Sequence, residues 1–335
     1  MILITGSAGF IGFHLAKRLL KKDETVIGID NLNDYYDVNL KQTRLNKLLK
    51  FEKYQHFKID IENYTDLSEV FKHNKFDKVI NLAAQAGVRH SIVRPELFIE
   101  SNILGFHNMI ELSKVHEVSH FIYASSSSVY GSNSKIPYSD NDNVSHPVST
   151  YAMTKKANEL QAHVYSHLFE IPTTGLRYFT VYGPYGRPDM AIFKFTQKIF
   201  NGEEIEIYNN GMHKRDFTYI DDIVEATINI INKPAEKDNN WSPLNPKLSS
   251  SGAPWKVYNV GNNKIVELNY FIELIENATG KKAKKKYLPM QPGDVENTYA
   301  NIDNLVRDTN FRPKTSIEEG ITKFVEWYKE YYKII

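Results

Sequence analysis

The amino-acid sequence predicts an α/β protein, a doubly wound parallel sheet with a smaller C-terminal lobe. Three observations carry that expectation. Short apolar runs recur through the first half: ILIT (2–5), TVIGID (25–30), HFKID (56–60), KVINLA (78–83), HFIYAS (120–125) and PTTGLRY (172–178). Each has the length and composition of a strand buried on both faces. The segments between them carry helical spacing, as in Ile11, Leu15 and Leu19, so the rhythm is a repeated βα unit and the sheet is parallel. The first run leads straight into TGSAGFIG (5–12) and an amphipathic segment. Strand, glycine loop and helix in that order are the Rossmann-type arrangement, in which backbone N–H groups cradle a dinucleotide pyrophosphate.

Composition narrows the classes. A chain of 335 residues with 41% apolar residues has enough material for one large two-lobed unit or two domains. Forty-one basic residues against forty acidic ones leave a formal charge of +1, so no global field favours nucleic acid or an anionic membrane. There is no cysteine, which excludes disulfides, thiolate catalysis and cysteine metal sites and suits a reducing compartment. No run of about 18 apolar residues is present to span a membrane, and the start MILITGSAGF lacks the charged n-region of a secretory signal. The expectation is a cytoplasmic protein with no metal, membrane or nucleic-acid partner.

The rhythm changes after residue 178. Glycine, proline and aromatic residues cluster in VYGPYGRPDM, and turn signals interrupt the later strands. This divides the chain into a dinucleotide-binding domain at 1–178, taking in about 215–235 as well, and a mainly substrate-binding lobe at 179–335, interleaved with the first. The polar stretch 232–256 reads as a long surface loop, patterning resumes with VYNVGN (257–262), and the lysine run at 281–286 reads as a solvated face.

Chemistry concentrates in a few places. Tyr151 and Lys155, in YAMTK, lie four apart and hence on one helix face, where the ammonium can lower the phenol pKa from about 10 and prepare it as a base. Gly6, Gly9 and Gly12 supply the turn of the first loop, with Phe10 and Ile11 packing beneath it. Asp30 ends the second run, about 20 residues beyond the loop, where a carboxylate binds the adenosine ribose hydroxyls and repels a 2′-phosphate, favouring NAD over NADP. Asp60 and Ile61 are placed either to contact adenine or, for the aspartate, to cap a helix. The run ASSSSVYG (124–131) ends the fifth strand, at the edge where ligands bind in this fold. A hydroxyl there can bond both a sugar oxygen and the Tyr151 phenol.

In this ordered set, TGSAGFIG, Asp30, NLAAQAG (81–87), Asn102, SSSVYG, YAMTK, LRYFTVYGP (176–184) and RDFTYIDD (215–222), the whole chain resembles the extended short-chain dehydrogenase/reductase family and its nucleotide-sugar epimerases. The resemblance implies a catalytic set of Ser126, Tyr151 and Lys155, and NAD contacts at Asn31, Leu82, Ala83, Ala84, Asn102 and Tyr178 besides the residues above. It implies UDP-sugar contacts at Arg89, Thr180, Arg215 and Asp294, Arg215 meeting pyrophosphate unless it pairs with Asp216 or Asp221. Ala191, Phe193 and Tyr208 are assigned to the nucleotide site, the two aromatics being equally suited to the core. It also implies a homodimer formed by the Asn102 and Tyr151 helices, with Met109, Leu112, Leu160 and Val164 as candidate contacts.

Dehydratases and decarboxylases of the family place an acid beside the catalytic hydroxyl, whereas here Ser127 and Ser128 stand there. Epimerisation at carbon 4 remains. FTVYGPYGRPDMAIFKF (179–195) is similar to the UDP-glucuronate 4-epimerase subgroup, so Arg187 is expected to meet the sugar carboxylate, with uridine phosphate or a loop as its other possible partner. Ser127 and Ser128 are expected to bind that carboxylate too. Thr298 is small where the family limits the sugar 2-substituent, which keeps UDP-glucose, UDP-N-acetylglucosamine and its uronic acid open as substrates. From a different class, an NAD-sensing protein without activity also fits the fold, against the retention of Ser126, Tyr151 and Lys155.

Overall fold

The computed structural model describes residues 1–291 and 294–334. The chain runs β1 (Ile2–Thr5), α1 (Phe10–Lys21), β2 (Val26–Ile29), α2 (Val38–Leu48), β3 (Tyr54–Phe57), α3 (Tyr64–His73), β4 (Lys78–Asn81), α4 (Val88–Val93), α5 (Pro95–Ile99), a π-helical turn (Glu100–Gly105), α6 (Phe106–Val115), β5 (His120–Ser126), α7 (Thr150–Phe169) and β6 (Thr173–Tyr178). It continues through β7 (Thr180–Tyr182), α8 (Ala191–Asn201), β8 (Glu204–Ile207), β9 (Lys214–Tyr219), α9 (Ile220–Ile231), β10 (Trp255–Val260), β11 (Ile265–Glu267), α10 (Leu268–Thr279), β12 (Lys284–Tyr287), α11 (Asp303–Thr309) and α12 (Ile317–Tyr332).

Seven strands form one sheet in the order β10-β6-β5-β4-β1-β2-β3, and every pairing is parallel. Alternation divides its side chains between two cores. Ile2, Ile4, Val26, Ile80 and Ile122 meet α1, α2 and α9, whereas Leu3, Ile27, Val79 and Phe121 meet α3 and α6. Chain direction out of β1 reverses between β2 and β4, so the carboxyl ends of β1 and β4 open the crevice at which such sheets take ligands. Two small sheets stand over this edge, β11-β9-β7 and β12-β8.

Two elements differ from the sequence reading, and a third, the lysine run, keeps its solvated face while carrying a strand. The third strand is Tyr54–Phe57, not 56–60, because Tyr54 is the residue whose side chain reaches the core and bonds Ser7 Oγ at 3.0 Å. The sheet takes β10 from the second half of the chain, beside β6. The lysine run carries β12, a strand exposed along its length. Of the four candidate dimer contacts, Met109 and Leu112 are buried in the core beneath the sheet, and only Leu160 and Val164 are exposed.

One buried ion pair fixes α7 to the sheet. Arg177, on β6, donates from Nε to Glu159 Oε1 at 2.8 Å and from Nη2 to Oε2 at 2.9 Å, and Ser125 on β5 donates to the same Oε1 at 2.7 Å. Burial alone would raise the Glu159 carboxyl, but the adjoining guanidinium outweighs it and holds the group below its ordinary range. Removing one partner of such a pair leaves a buried charge unmatched, at a cost of about 3–5 kcal/mol. The Glu159→Gln variant is therefore expected to unfold several degrees below the wild type in a thermal scan; an unchanged midpoint would show the pair to be dispensable.

Candidate active site

A cavity of about 830 Å³ lies on the carboxyl edge of the sheet, beneath the two small sheets. The first loop forms one end. Gly6 has φ +69°, and a Cβ on Gly12 would stand 2.1 Å from Gly6 O, so the helix can start this close to the strand only without a side chain there. Gly9, Phe10 and Ile11 line the cavity with them.

The adenosine end of the expected site is built from loop hydrogen bonds. Asp30 accepts from Ala8 N at 3.0 Å and Leu32 N at 2.9 Å, and Asn31 Nδ2 donates to Asp60 at 3.0 Å. Asp60 caps no helix: it accepts from Glu62 N in an Asx turn, and Asn63 is the residue that caps α3. With Ile61, Leu82, Ala83 and Ala84 these residues border the same cavity. The fit to a dinucleotide rests on this edge, where the backbone of the glycine loop and the Asp30 carboxylate that it anchors lie side by side.

Ser149 caps α7, its Oγ accepting from Ala152 N at 3.1 Å, which places Tyr151 in the first turn and Lys155 one turn later. Both line the cavity with Ser126, Ser127, Ser128, Tyr178 and Thr180. Lys155 is almost fully buried and donates to Ala124 O at 2.9 Å; burial lowers its pKa to about 8. The sequence reading made Lys155 the group that lowers Tyr151. Here burial raises the phenol instead, and the opposing pull comes from the Ser126 hydroxyl and the charge of Arg187.

Two expected residues stand back from the cavity. Asn102 sits in the π-helical turn, whose wider backbone turns its amide inward. It accepts from Gln85 N at 2.8 Å and donates to Gln85 O and to Thr154 Oγ1, both at 3.0 Å, tying the loop after β4 to α7. Phe193 is buried among Phe324, Trp327, Tyr328 and Tyr332. The cavity face of α8 is Ala191, Lys194, Phe195 and Lys198, a set that helical spacing from Ala191 identifies.

At the opposite end Arg89 donates to Asp294 at 2.9 Å and lies 4.9 Å over the Tyr208 ring, so three residues distant in sequence meet at the mouth. Arg215 bonds the carbonyls of Lys214, Val295 and Glu296. Neither suggested carboxylate takes it. Asp216 accepts from the backbone of Asn262, Asn263 and Ala300, and Asp221 faces Arg18 at 3.7 Å. Thr298 is also on the wall. Arg187 meets Asp189, two residues along, and Arg44 fixes that loop to the first by donating to Ala8 O at 3.0 Å and Tyr185 O at 2.6 Å. Tyr35, Lys41, Asp189 and His213 line the cavity as well; Lys41 comes from α2, and the other three sit in irregular segments with no spacing signal.

The chain matches the family model described as GDP-mannose 4,6 dehydratase over residues 3–324. It is 57% identical to protein CapI of Staphylococcus aureus, covering 99% of each chain. It is 45% identical to a probable UDP-glucuronate 4-epimerase of Rhizobium meliloti, covering 99% of this chain and 97% of that one. The crystal structure of a UDP-glucuronic acid 4-epimerase from Bacillus cereus, in complex with UDP-glucuronic acid and NAD, superposes with a TM-score of 0.87 at 33% identity, over 99% of each chain. A seven-stranded Rossmann-type sheet, a glycine loop and a tyrosine–lysine pair on one helix face thus coincide with an end-to-end sequence match: the chain belongs to the GDP-mannose 4,6 dehydratase family and, within it, is similar to the UDP-glucuronate 4-epimerases.

Proposed function

We propose that this protein is an NAD-dependent UDP-sugar 4-epimerase that interconverts UDP-glucuronate and UDP-galacturonate. The observation that carries the reading is one continuous cavity joining the glycine loop, the Ser126–Tyr151–Lys155 group and a wall of hydroxyls and Arg187, with serines at 127 and 128 where a dehydratase has an acid. The similarity to proteins named for this activity supports it.

NAD would lie along Gly6, Gly9, Phe10, Ile11, Gly12, Asp30, Asn31, Asp60 and Ile61, with Leu82, Ala83, Ala84 and Tyr178 beside it and Asn102 behind. When bound it supplies a hydride acceptor that is regenerated in each turnover. Tyr151, once ionised against the pull of burial, takes the proton from the 4-hydroxyl and later returns it, and Ser126 holds the same oxygen. Lys155 would hold the nicotinamide ribose and, below about pH 8, keep a positive charge there. The sugar becomes a 4-ketone, and turning it within the cavity presents its other face, so configuration inverts without net oxidation. Ser127, Ser128, Thr180 and Arg187 hold the carboxylate; Arg89, Ala191, Tyr208, Arg215 and Asp294 hold the nucleotide. The cofactor lobe is 1–178 with about 215–235, and the remainder of 179–335 is mainly the sugar lobe.

Among the described residues no helix is long and apolar enough to cross a membrane. Cytoplasmic residence accords with the absence of cysteine. A homodimer accords with the apolar face that α7 leaves exposed at Leu160, Val164 and Leu168, beside Val115 of the adjoining α6.

Three outcomes follow. Proton NMR of the NAD-loaded protein with UDP-glucuronate is expected to show UDP-galacturonate, with Tyr151→Phe slowing turnover by a factor on the order of 10²–10⁴; conversion of neutral UDP-sugars alone would overturn the assignment. The Lys155 pKa of about 8 in the folded protein lies below the 10.5 of a free lysine. Above about pH 8 the unfolded chain therefore keeps a proton that the folded one has lost, and stability rises with pH. Relative to Lys155→Met, the wild type should gain roughly 1.5 kcal/mol between about pH 8 and 9.5 in denaturant titrations; parallel curves would contradict the shift. Light scattering should give twice the chain mass for the wild type and a single chain mass for Leu160→Glu/Leu168→Glu, and a monomeric wild type would remove the dimer.

A further inference from the structure

The residue expected to receive the sugar carboxylate already holds one. Arg187 Nε donates to Asp189 Oδ1 at 3.0 Å and Nη2 to Oδ2 at 2.5 Å, a two-point fork. Both side chains line the cavity with Tyr151, Ser127, Ser128 and Thr180. Asp189 has a second support: Tyr35 OH, from the loop after β2, donates to its Oδ2 at 3.3 Å. Tyr35 is set in place by the His90 ring at 4.8 Å, which approaches Phe98 at 5.8 Å, which in turn meets the Tyr151 ring at 6.1 Å. The fork therefore belongs to the same packed assembly as the proton-transferring tyrosine.

We infer that Asp189 is an internal competitor for Arg187, a specificity-setting residue that weakens the grip on the sugar carboxylate. The reasoning is one of exchange. A guanidinium matches one carboxylate at a time on a given edge. A uronic acid entering the cavity meets an arginine whose Nε–Nη2 edge is filled, so its gain is the difference between two pairings. Tyr35 retains Asp189 when Arg187 turns away, so the exchange leaves no carboxylate without a donor. The carboxylate is borne two bonds from the carbon whose oxygen faces Tyr151, and that sugar must leave one orientation and take another in every turnover. A full ion pair in a partly desolvated cavity would resist that movement; a contested one permits it. Asp189 thus trades affinity for turnover.

This inference rests on a uronic acid being the ligand, and binding tests it without turnover. In a Tyr151→Phe background loaded with NAD, calorimetry would give the Kd of UDP-glucuronate and of UDP-glucose. Adding Asp189→Asn, which keeps the size and removes the charge, is expected to tighten UDP-glucuronate about tenfold and leave UDP-glucose within about twofold. Tyr35→Phe should move the ratio in the same direction by less. In the Tyr151 enzyme, Asp189→Asn should lower KM for UDP-glucuronate and lower kcat with it. An unchanged or weakened preference for the uronic acid in folded Asp189→Asn, as judged by circular dichroism, would overturn the competition and make Asp189 a holder of Arg187. Tighter uronate binding with no turnover by the wild type would uphold the competition while refuting the epimerase reading.

Discussion

The position of the groups proposed to react depends on how α7 is held against the sheet. Tyr151 and Lys155 are borne by that helix and Ser126 by the end of β5, and the chain joins the two only through the long stretch 127–149. The Arg177–Glu159 pair relates them: Glu159 stands one turn beyond Lys155, and its carboxylate joins β6 through Arg177 and β5 through Ser125, next to Ser126. A fork of this geometry resists both sliding and rotation of the helix, which is what a proton-transfer group needs when misplacement by about 1 Å can cost 10²-fold in rate. The Asn102 amide does the same from the other side, linking Thr154 to the loop after β4.

Around that fixed centre the cavity is asymmetric. The edge proposed for the cofactor is backbone, glycine and a loop-anchored carboxylate. The edge proposed for the sugar is assembled from long side chains on short elements: Arg187 folds onto Asp189 in its own loop, while Arg89 meets Asp294 and Tyr208 from distant segments. In the proposed function, specificity falls to side chains that can exchange partners.

The strands, the loop, the YAMTK helix and the hydroxyl run were legible because each depends on local pattern, a buried strand's apolarity or a glycine that only a turn requires. What was missed depends on which residue of a pattern faces inward. Phe193 and Phe195 both suit a cavity by type, and only the register of α8 separates them. Met109 and Leu112 suit an interface by composition, yet point to the sheet. The lowering of the Tyr151 pKa was assigned to Lys155 from spacing alone, whereas burial dominates and the charge that reaches the phenol is that of Arg187. Asp189 carried no signal, because its importance comes from the arginine two residues earlier folding back onto it.

The seventh strand gives the molecule a history as well as a shape. β10 closes the sheet beside β6 but emerges from the ribosome some eighty residues after it. Through that interval of synthesis β6 is an open edge, with its row of unpaired peptide groups available to any passing strand, and the pairing that covers it spans a long stretch of chain. The nascent protein therefore has no resting point at the end of its first half. The sheet begun by the first half of the chain is completed only by a strand from the second.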